Sequence, residues 1–320
     1  MSIRVAVLGL NRVGASAALA LGVKNGIEVT AWDKRVDLVE RAQKNNLPGA
    51  KKSLKDALKH ARVVIFCQPL NKLQEVFKNA QPLLQPGVLL VDLSGYQVQP
   101  LTWARELFAG KMRFVSLFPA INPKYLYEKD DGPESAHADL FQNATIFVPD
   151  PAGETAAVIE AAVDLAVLLG GRPSFSDPYE TEGVRAWVKT LPAVAAIVAA
   201  KSAFSQPGWR EARKLAGDEL AAVTDFVGDS FKVEDFYADA WLDKEATARV
   251  LDAIMLAAMK LKDALNQRDD HAFVSEIERL QEDRHDWLAR RAKNDWDDIA
   301  RTSSVPASEQ ALKHFLTLGG

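Results

Sequence analysis

Gly9-Leu10-Asn11-Arg12-Val13-Gly14, followed by a single acid at Asp33, is the set of residues in this chain best spaced for chemistry on a phosphate-bearing ligand. Gly9 permits a sharp turn, and Gly14 lets the next segment pack closely against its neighbours. The N–H groups that open a helix there carry a partial positive charge suited to a pyrophosphate. Asp33 stands about 20 positions beyond the last glycine, where a carboxylate binds ribose hydroxyls. The middle position of this fingerprint is Asn11, where glycine is usual; Asn tolerates left-handed backbone angles better than most residues. The ligand expected is NAD, because Asp33 repels a 2′-phosphate. NADP is the alternative, with Lys34 and Arg35 holding that phosphate.

Further candidates sit where strand-like runs end. They are the turns Gln68-Pro69-Leu70, Asp92-Leu93-Ser94-Gly95-Tyr96 and Phe118-Pro119-Ala120-Ile121-Asn122-Pro123. Tyr96, Lys124, Tyr125, Glu180, Glu182 and Lys189 are candidates for the wall of the same cleft, with solvated surface charge as the plainer reading. Lys124 and Lys189 suit a small anionic substrate. His60, His137, His271, His285 and His314 read as solvated residues rather than bases. Cys67 is the only cysteine, so neither a disulfide framework nor a cysteine-based metal site is expected. No metal ligand set is identified.

The elements that must position these residues follow from periodicity. Ile3–Leu8 and Glu28–Trp32 read as strands flanking a helix of small residues. Helices over Val36–Asn45 and Leu54–His60 precede a strand at Arg62–Cys67. A helix over Asn71–Leu84, a strand at Val88–Asp92, a helix over Thr102–Ala109 and strands at Arg113–Leu117 and Ala144–Val148 follow. Glu154–Leu169 is a further helix, and Pro173–Ser176 a last edge strand. Strands alternating with helices predict an α/β fold, a Rossmann doubly wound parallel sheet, over residues 1–177. Residues 178–320 are expected to be all helical. Glu180–Phe204 is a long apolar helix interrupted at Leu191-Pro192, and Pro207–Val227, Lys244–Asn266 and Asp269–Ile299 are further helices. Ala193–Ala200 has little polar face, which points to a homodimer interface or a central helix of a monomeric bundle. The expectation taken is a homodimer.

Composition sets the remaining bounds. The chain has 320 residues, 48% of them apolar, with 39 basic against 43 acidic side chains and a net charge of −4. That suits two folded domains and supports neither nucleic-acid nor membrane binding. No apolar run reaches ~18 residues, and a cytoplasmic location without a signal peptide is expected.

With these residues in place, the chain resembles prephenate and arogenate dehydrogenases, members of the 6-phosphogluconate dehydrogenase-like superfamily. The resemblance rests on the glycine turn, the Gln68-Pro69 turn, Leu83-Leu84-Gln85-Pro86-Gly87 before the Asp92 strand, and Phe118-Pro119. It continues through Asp177-Pro178-Tyr179-Glu180, Leu191-Pro192 and Gly208-Trp209-Arg210-Glu211. It implies a Rossmann domain followed by a helical dimerisation domain, with oxidation and decarboxylation of a cyclohexadienol using NAD or NADP, on the way to tyrosine. It also implies that Gly9, Leu10, Asn11, Arg12, Val13, Gly14, Asp33, Lys34, Gln68, Pro69 and Ser94 hold the cofactor. The chain departs from the family at the chemistry. Phe118 replaces the catalytic histidine and cannot accept a proton. Gly95 stands at the family's serine position, with Ser94 beside it, and Thr190 replaces a second histidine. The substrate-binding arginine falls on Lys214, or on Arg213 after a one-residue shift; Arg210 lies nearby. The implied enzyme therefore has an altered catalytic site. A dinucleotide-binding dimer without dehydrogenase activity, or a reductase of the same superfamily acting on a keto acid or imine, is the alternative.

Overall fold

The structure is a computed structural model, and the residues it describes are all but 1, 48, 109–111, 151–154, 229–230, 269, 297–304 and 319–320. Ala109, Glu154, Asp269 and Ile299, taken above as helix ends, lie outside the described residues. The chain divides into two compact units: Met1–Glu182 together with Arg290–Gly320, and Gly183–Ala289. This corrects the 177/178 division at its far end, because the C-terminal segment returns to the first unit.

The first unit is built from β1 (Ile3–Leu8), α1 (Arg12–Gly22), β2 (Ile27–Trp32), α2 (Val36–Lys44), α3 (Leu54–Leu58), β3 (Val63–Phe66), α4 (Leu70–Ala80), β4 (Leu89–Asp92), α5 (Val98–Phe108) and β5 (Arg113–Ser116). Then come β6 (Phe118–Pro119), β7 (Thr145–Pro149), α6 (Ala156–Leu168) and β8 (Arg172–Ser176). The first five strands form a parallel sheet in the order β2-β1-β3-β4-β5. β3 and β4 are buried throughout, as strands covered on both faces must be. The chain reverses its direction of winding between β1 and β3, and a crevice for a ligand opens at such a switch point. Outside β2 a further strand is reduced to one parallel bridge, Ala31 to Ala50. The expected single sheet is in fact two. β6, β7 and β8 form a separate three-stranded sheet in which β6 runs antiparallel to β7. Two buried layers lie on either side of the larger sheet. One contains Val5, Val7, Ile65 and Val91 with α1 and α6; the other contains Ala6, Leu8, Phe66 and Leu90 with α4 and Phe108.

The second unit is helical. α7 (Pro178–Arg185), whose residues to Glu182 belong to the first unit, leads through a π-helical turn, Ala186–Thr190, into α8 (Leu191–Phe204). Pro192 therefore stands in the first turn of α8, where its missing N–H is harmless, and the π-turn absorbs the expected interruption. By length and composition alone, the helical run Pro178–Phe204 is long enough and, over an 18-residue window of mean hydropathy 1.3, apolar enough to cross a membrane, where no such segment was expected. Within this unit Ala186, Val194, Ala246 and Val250 form a buried cluster, so one face of α8 packs on a neighbouring helix. The segment expected as one helix over Pro207–Val227 is broken into α9 (Trp209–Ala212) and α10 (Asp218–Thr224). α11 (Val233–Leu242), α12 (Lys244–Gln267) and α13 (Asp270–Lys293) follow. α14 (Ser308–Thr317) buries Ala311 and Phe315 in the first unit's core.

Candidate functional site

The site is assembled at the carboxyl ends of β1 to β4. Gly9 has φ +117°, and a Cβ there would lie 2.6 Å from the Cys67 carbonyl oxygen. A Cβ on Gly14 would lie 2.0 Å from the Gly9 oxygen and 2.9 Å from the Cys67 Cβ. Only glycine fits at either position, so the turn brings α1 directly onto the sheet. Asn11 is not left-handed, contrary to the reason given above for tolerating it. Its φ of −67° and ψ of 175° are those of an N-cap. Its Oδ1 accepts from Gly14 N at 2.9 Å, and its Nδ2 donates to the Cys67 carbonyl at 2.8 Å. Asn11 thus starts α1 and ties it to the end of β3.

Asp33 is buried at the end of β2. One carboxylate oxygen accepts from Leu10 N at 2.8 Å and the other from Arg35 N at 2.8 Å. The acid therefore braces the glycine turn as well as standing beside it. Lys34 and Arg35, the candidates for a 2′-phosphate, are already engaged. Lys34 Nζ lies 2.6 Å from Glu75, and Arg35 Nε lies 3.7 Å from Asp33. Gln68 follows β3 in the adjoining turn. It is buried, and its Nε2 has no hydrogen-bond partner among the described residues. Pro69 caps α4. Arg12, in the first turn of α1, is also buried, and its Nε is without a hydrogen-bond partner among the described residues. A tight glycine cradle and unsatisfied buried donors at a helix N-terminus are what a dinucleotide diphosphate requires. The residues present fit that group.

Asp92 ends β4 in full burial. Burial pushes its carboxyl up to about 7, although two hydrogen bonds from Ser94 pull the other way. Ser94 Oγ donates to Asp92 at 2.7 Å, and Ser94 N donates at 3.1 Å. The serine hydroxyl is therefore turned toward its own turn. Gly95 has φ +85°, and a Cβ there would lie 3.4 Å from the Phe118 ring. Phe118 is buried on β6, its ring centroid 6.4 Å from that of Phe147. Gly95 and Phe118 thus face each other, and no acid–base group stands on either.

Several expected wall residues have other work. Glu182 accepts from Gln97 N at 3.1 Å and Val98 N at 2.8 Å, capping α5. Tyr125 donates to Asp139, and Lys124 Nζ donates to the Tyr125 hydroxyl at 3.2 Å. His137, read from sequence as a solvated residue, stacks on Tyr125 with centroids 3.9 Å apart and contacts Glu128 at 2.9 Å. Glu128 also accepts from Arg12 at 2.7 Å. Neither Glu128 nor this role of His137 was found from sequence; the acidic run Glu128-Lys129-Asp130-Asp131 was the available signal. In the second unit Lys189 and Thr190 lie in the π-turn. Lys214 is exposed and ion-paired to Glu211, while Arg210 and Arg213 are exposed on the same short helical segment.

Residues 17–173 match the family described as the prephenate dehydrogenase nucleotide-binding domain. A cyclohexadienyl dehydrogenase of Zymomonas mobilis is 25% identical over 194 residues, covering 60% of this chain; the match spans 64% of that relative's length. Among solved structures, a prephenate dehydrogenase of A. aeolicus in complex with hydroxyphenyl propionate and NAD+ is similar with a TM-score of 0.75 at 14% identity, covering 89% of this chain and 98% of that one. A Synechocystis arogenate dehydrogenase has a TM-score of 0.67 at 18% identity, with 90% and 100% covered. These structural likenesses are likenesses of fold.

Proposed function

We propose, from the match of residues 17–173 to the prephenate dehydrogenase nucleotide-binding domain, that this chain is an NAD-dependent dehydrogenase of the prephenate and arogenate type with a rebuilt catalytic centre. The observation that carries the reading is the glycine cradle on the β1–α1 turn, braced by the buried Asp33. When bound there, NAD supplies the hydride acceptor. Gly9 and Gly14 would give it room, the N–H groups opening α1 would hold its diphosphate, and Asp33 would hold its adenosine ribose. Asp33, and the engagement of Lys34 by Glu75, support NAD over NADP. Lys124 and Lys189 remain the candidates to attract an anionic substrate, and Arg213 and Lys214 to bind its carboxylate.

Phe118 and Gly95 support the rebuilt centre. Oxidising a ring alcohol needs an acceptor for the hydroxyl proton, and neither residue is one. The same pair favours a second reading, a reductase acting on a keto acid or imine, or a dinucleotide-binding dimer without turnover. A cofactor-reduction assay with prephenate and with arogenate, each with NAD and with NADP, separates them. Reduction of NAD by either substrate supports the dehydrogenase; binding of NAD without reduction supports the second reading. A homodimer forms in this reading through apolar side chains left exposed on the second unit, and the protein works in the cytoplasm.

A further inference from the structure

The acidic segment after Tyr127 lies against the opening of α1. Arg12 N, one of the N–H groups the cradle offers to an anion, donates to the Asp131 carbonyl at 2.8 Å. The Arg12 guanidinium is held by Glu128, through a carboxylate oxygen at 2.7 Å and the backbone carbonyl at 3.3 Å. It lies 5.7 Å from the Tyr125 ring centroid. Arg12 is only 7% exposed, and its Nε has no hydrogen-bond partner among the described residues. The segment is fastened on both sides. His137 N donates to Ser16 Oγ on α1 at 3.0 Å and its ring contacts Glu128, while Glu134 pairs with Arg41 on α2.

A carbonyl oxygen and a carboxylate thus occupy an N–H and an arginine that a diphosphate bound at this turn would use. Both partners, an N–H at a helix N-terminus and an arginine, bind phosphate at least as well as they bind these. A diphosphate and the acids Glu128, Asp130 and Asp131 repel each other at close range. We propose that Glu128–Gly132 is a self-inhibitory strap that occupies the diphosphate cradle and must be displaced when a dinucleotide binds, releasing Arg12 to pair with the phosphates. This rests on the reading of the first unit as an NAD domain. The strap lowers apparent affinity by the fraction of molecules in which it is closed, and it penalises ligands whose negative charge is too small to displace it.

The test combines calorimetric titration of NAD into wild type and Glu128→Gln with hydrogen exchange of the full-length protein. Glu128→Gln should bind NAD roughly tenfold more tightly, the scale of one charge-assisted hydrogen bond released. In the wild type, NAD should slow exchange across residues 9–14 and speed it across 126–134. If NAD binds but the strap becomes protected, or if Glu128→Gln leaves affinity equal or weaker, the strap is a closing part of the bound site. The proposal then fails while the NAD reading stands. No binding by either protein removes both.

Discussion

Asn11 stands where a third glycine would be usual, and its geometry explains why the turn survives. The backbone there is extended, so no left-handed angle is needed, and the side chain caps α1 in place of an open approach. Asp33 would have a comparable double use, since it accepts from Leu10 N and stands at the strand end where a carboxylate would bind the ribose. Asp33→Ala should therefore weaken NAD binding by about 1.5–3 kcal/mol, roughly ten- to 150-fold, and should erase the preference for NAD over NADP. Calorimetric titration with both cofactors checks it; an unchanged preference would place selectivity in Lys34 and Arg35. At the other end of the site, Phe118→His should raise turnover of prephenate or arogenate by up to ~10²–10⁴-fold, the worth of a general base. Turnover at saturating NAD measures it, and a fast wild-type reaction that Phe118→His leaves unchanged would show the centre to be elsewhere. Gly9, Gly14 and Asp33 were legible because their meaning is local: a turn, a helix start, a strand end. The pairing of Arg12 with Glu128 was not, because it joins residues 116 positions apart, and spacing carries no signal over that distance.

Strands and long helices were read within a few residues because their burial periodicity is strong, and β3 and β4 are apolar without interruption. The weaker elements depended on tertiary contacts. β6 is two residues long and exists through its pairing with β7. The segment between Pro207 and Val227 has helical composition but breaks around Gly217, which precedes α10. α14 was missed, although it places Phe315 in full burial. Phe315→Ala should cost about 3–5 kcal/mol of stability, read from denaturant unfolding of the first unit; a loss below 1 kcal/mol would mean that the helix is merely adherent. Its His314 lies 3.9 Å from Asp164 on α6. Burial raises Asp164 to about 6, with His314 lowering it and Glu160 raising it. The unfolded value is about 3.9, so the folded state holds the proton more tightly. The stability tied to that proton is complete below about pH 4 and is lost as pH rises through about 6. Asp164→Asn should gain stability relative to wild type between pH 4 and 7. A pH-independent difference in unfolding free energy would show that Asp164 is not the titrating group.

At the scale of the whole chain, the division into an α/β unit and a helical unit was legible from the change in periodicity near residue 178. The return of the C-terminus to the first unit was not, because nothing local in Ser308–Thr317 names its partner. The homodimer was inferred from Ala193–Ala200, of which Ala193, Val194, Ala196 and Ala200 are buried, Ala195 is exposed and Ile197, Val198 and Ala199 are half-buried. A longer run of exposed apolar side chains lies on α12 of the same unit. Leu251, Met255 and Met259 recur at helical spacing along α12 and are 39%, 56% and 60% exposed, with Leu256 and Leu265 beside them at 55% and 62%. Side chains four apart share one face of a helix, and a contiguous apolar stripe of this kind marks an interaction surface. A stable interface buries about 800 Å² on each partner; Val274, Ile277 and Leu280 on α13 are exposed as well. The expectation is a homodimer at micromolar concentration. Met255→Glu combined with Met259→Glu should yield a monomer with unchanged helix content, because both side chains face solvent within the chain and two buried charges would oppose association. Light scattering with far-UV circular dichroism decides it. A wild type that is already monomeric, or a double variant that remains dimeric, would remove α12 as the interface.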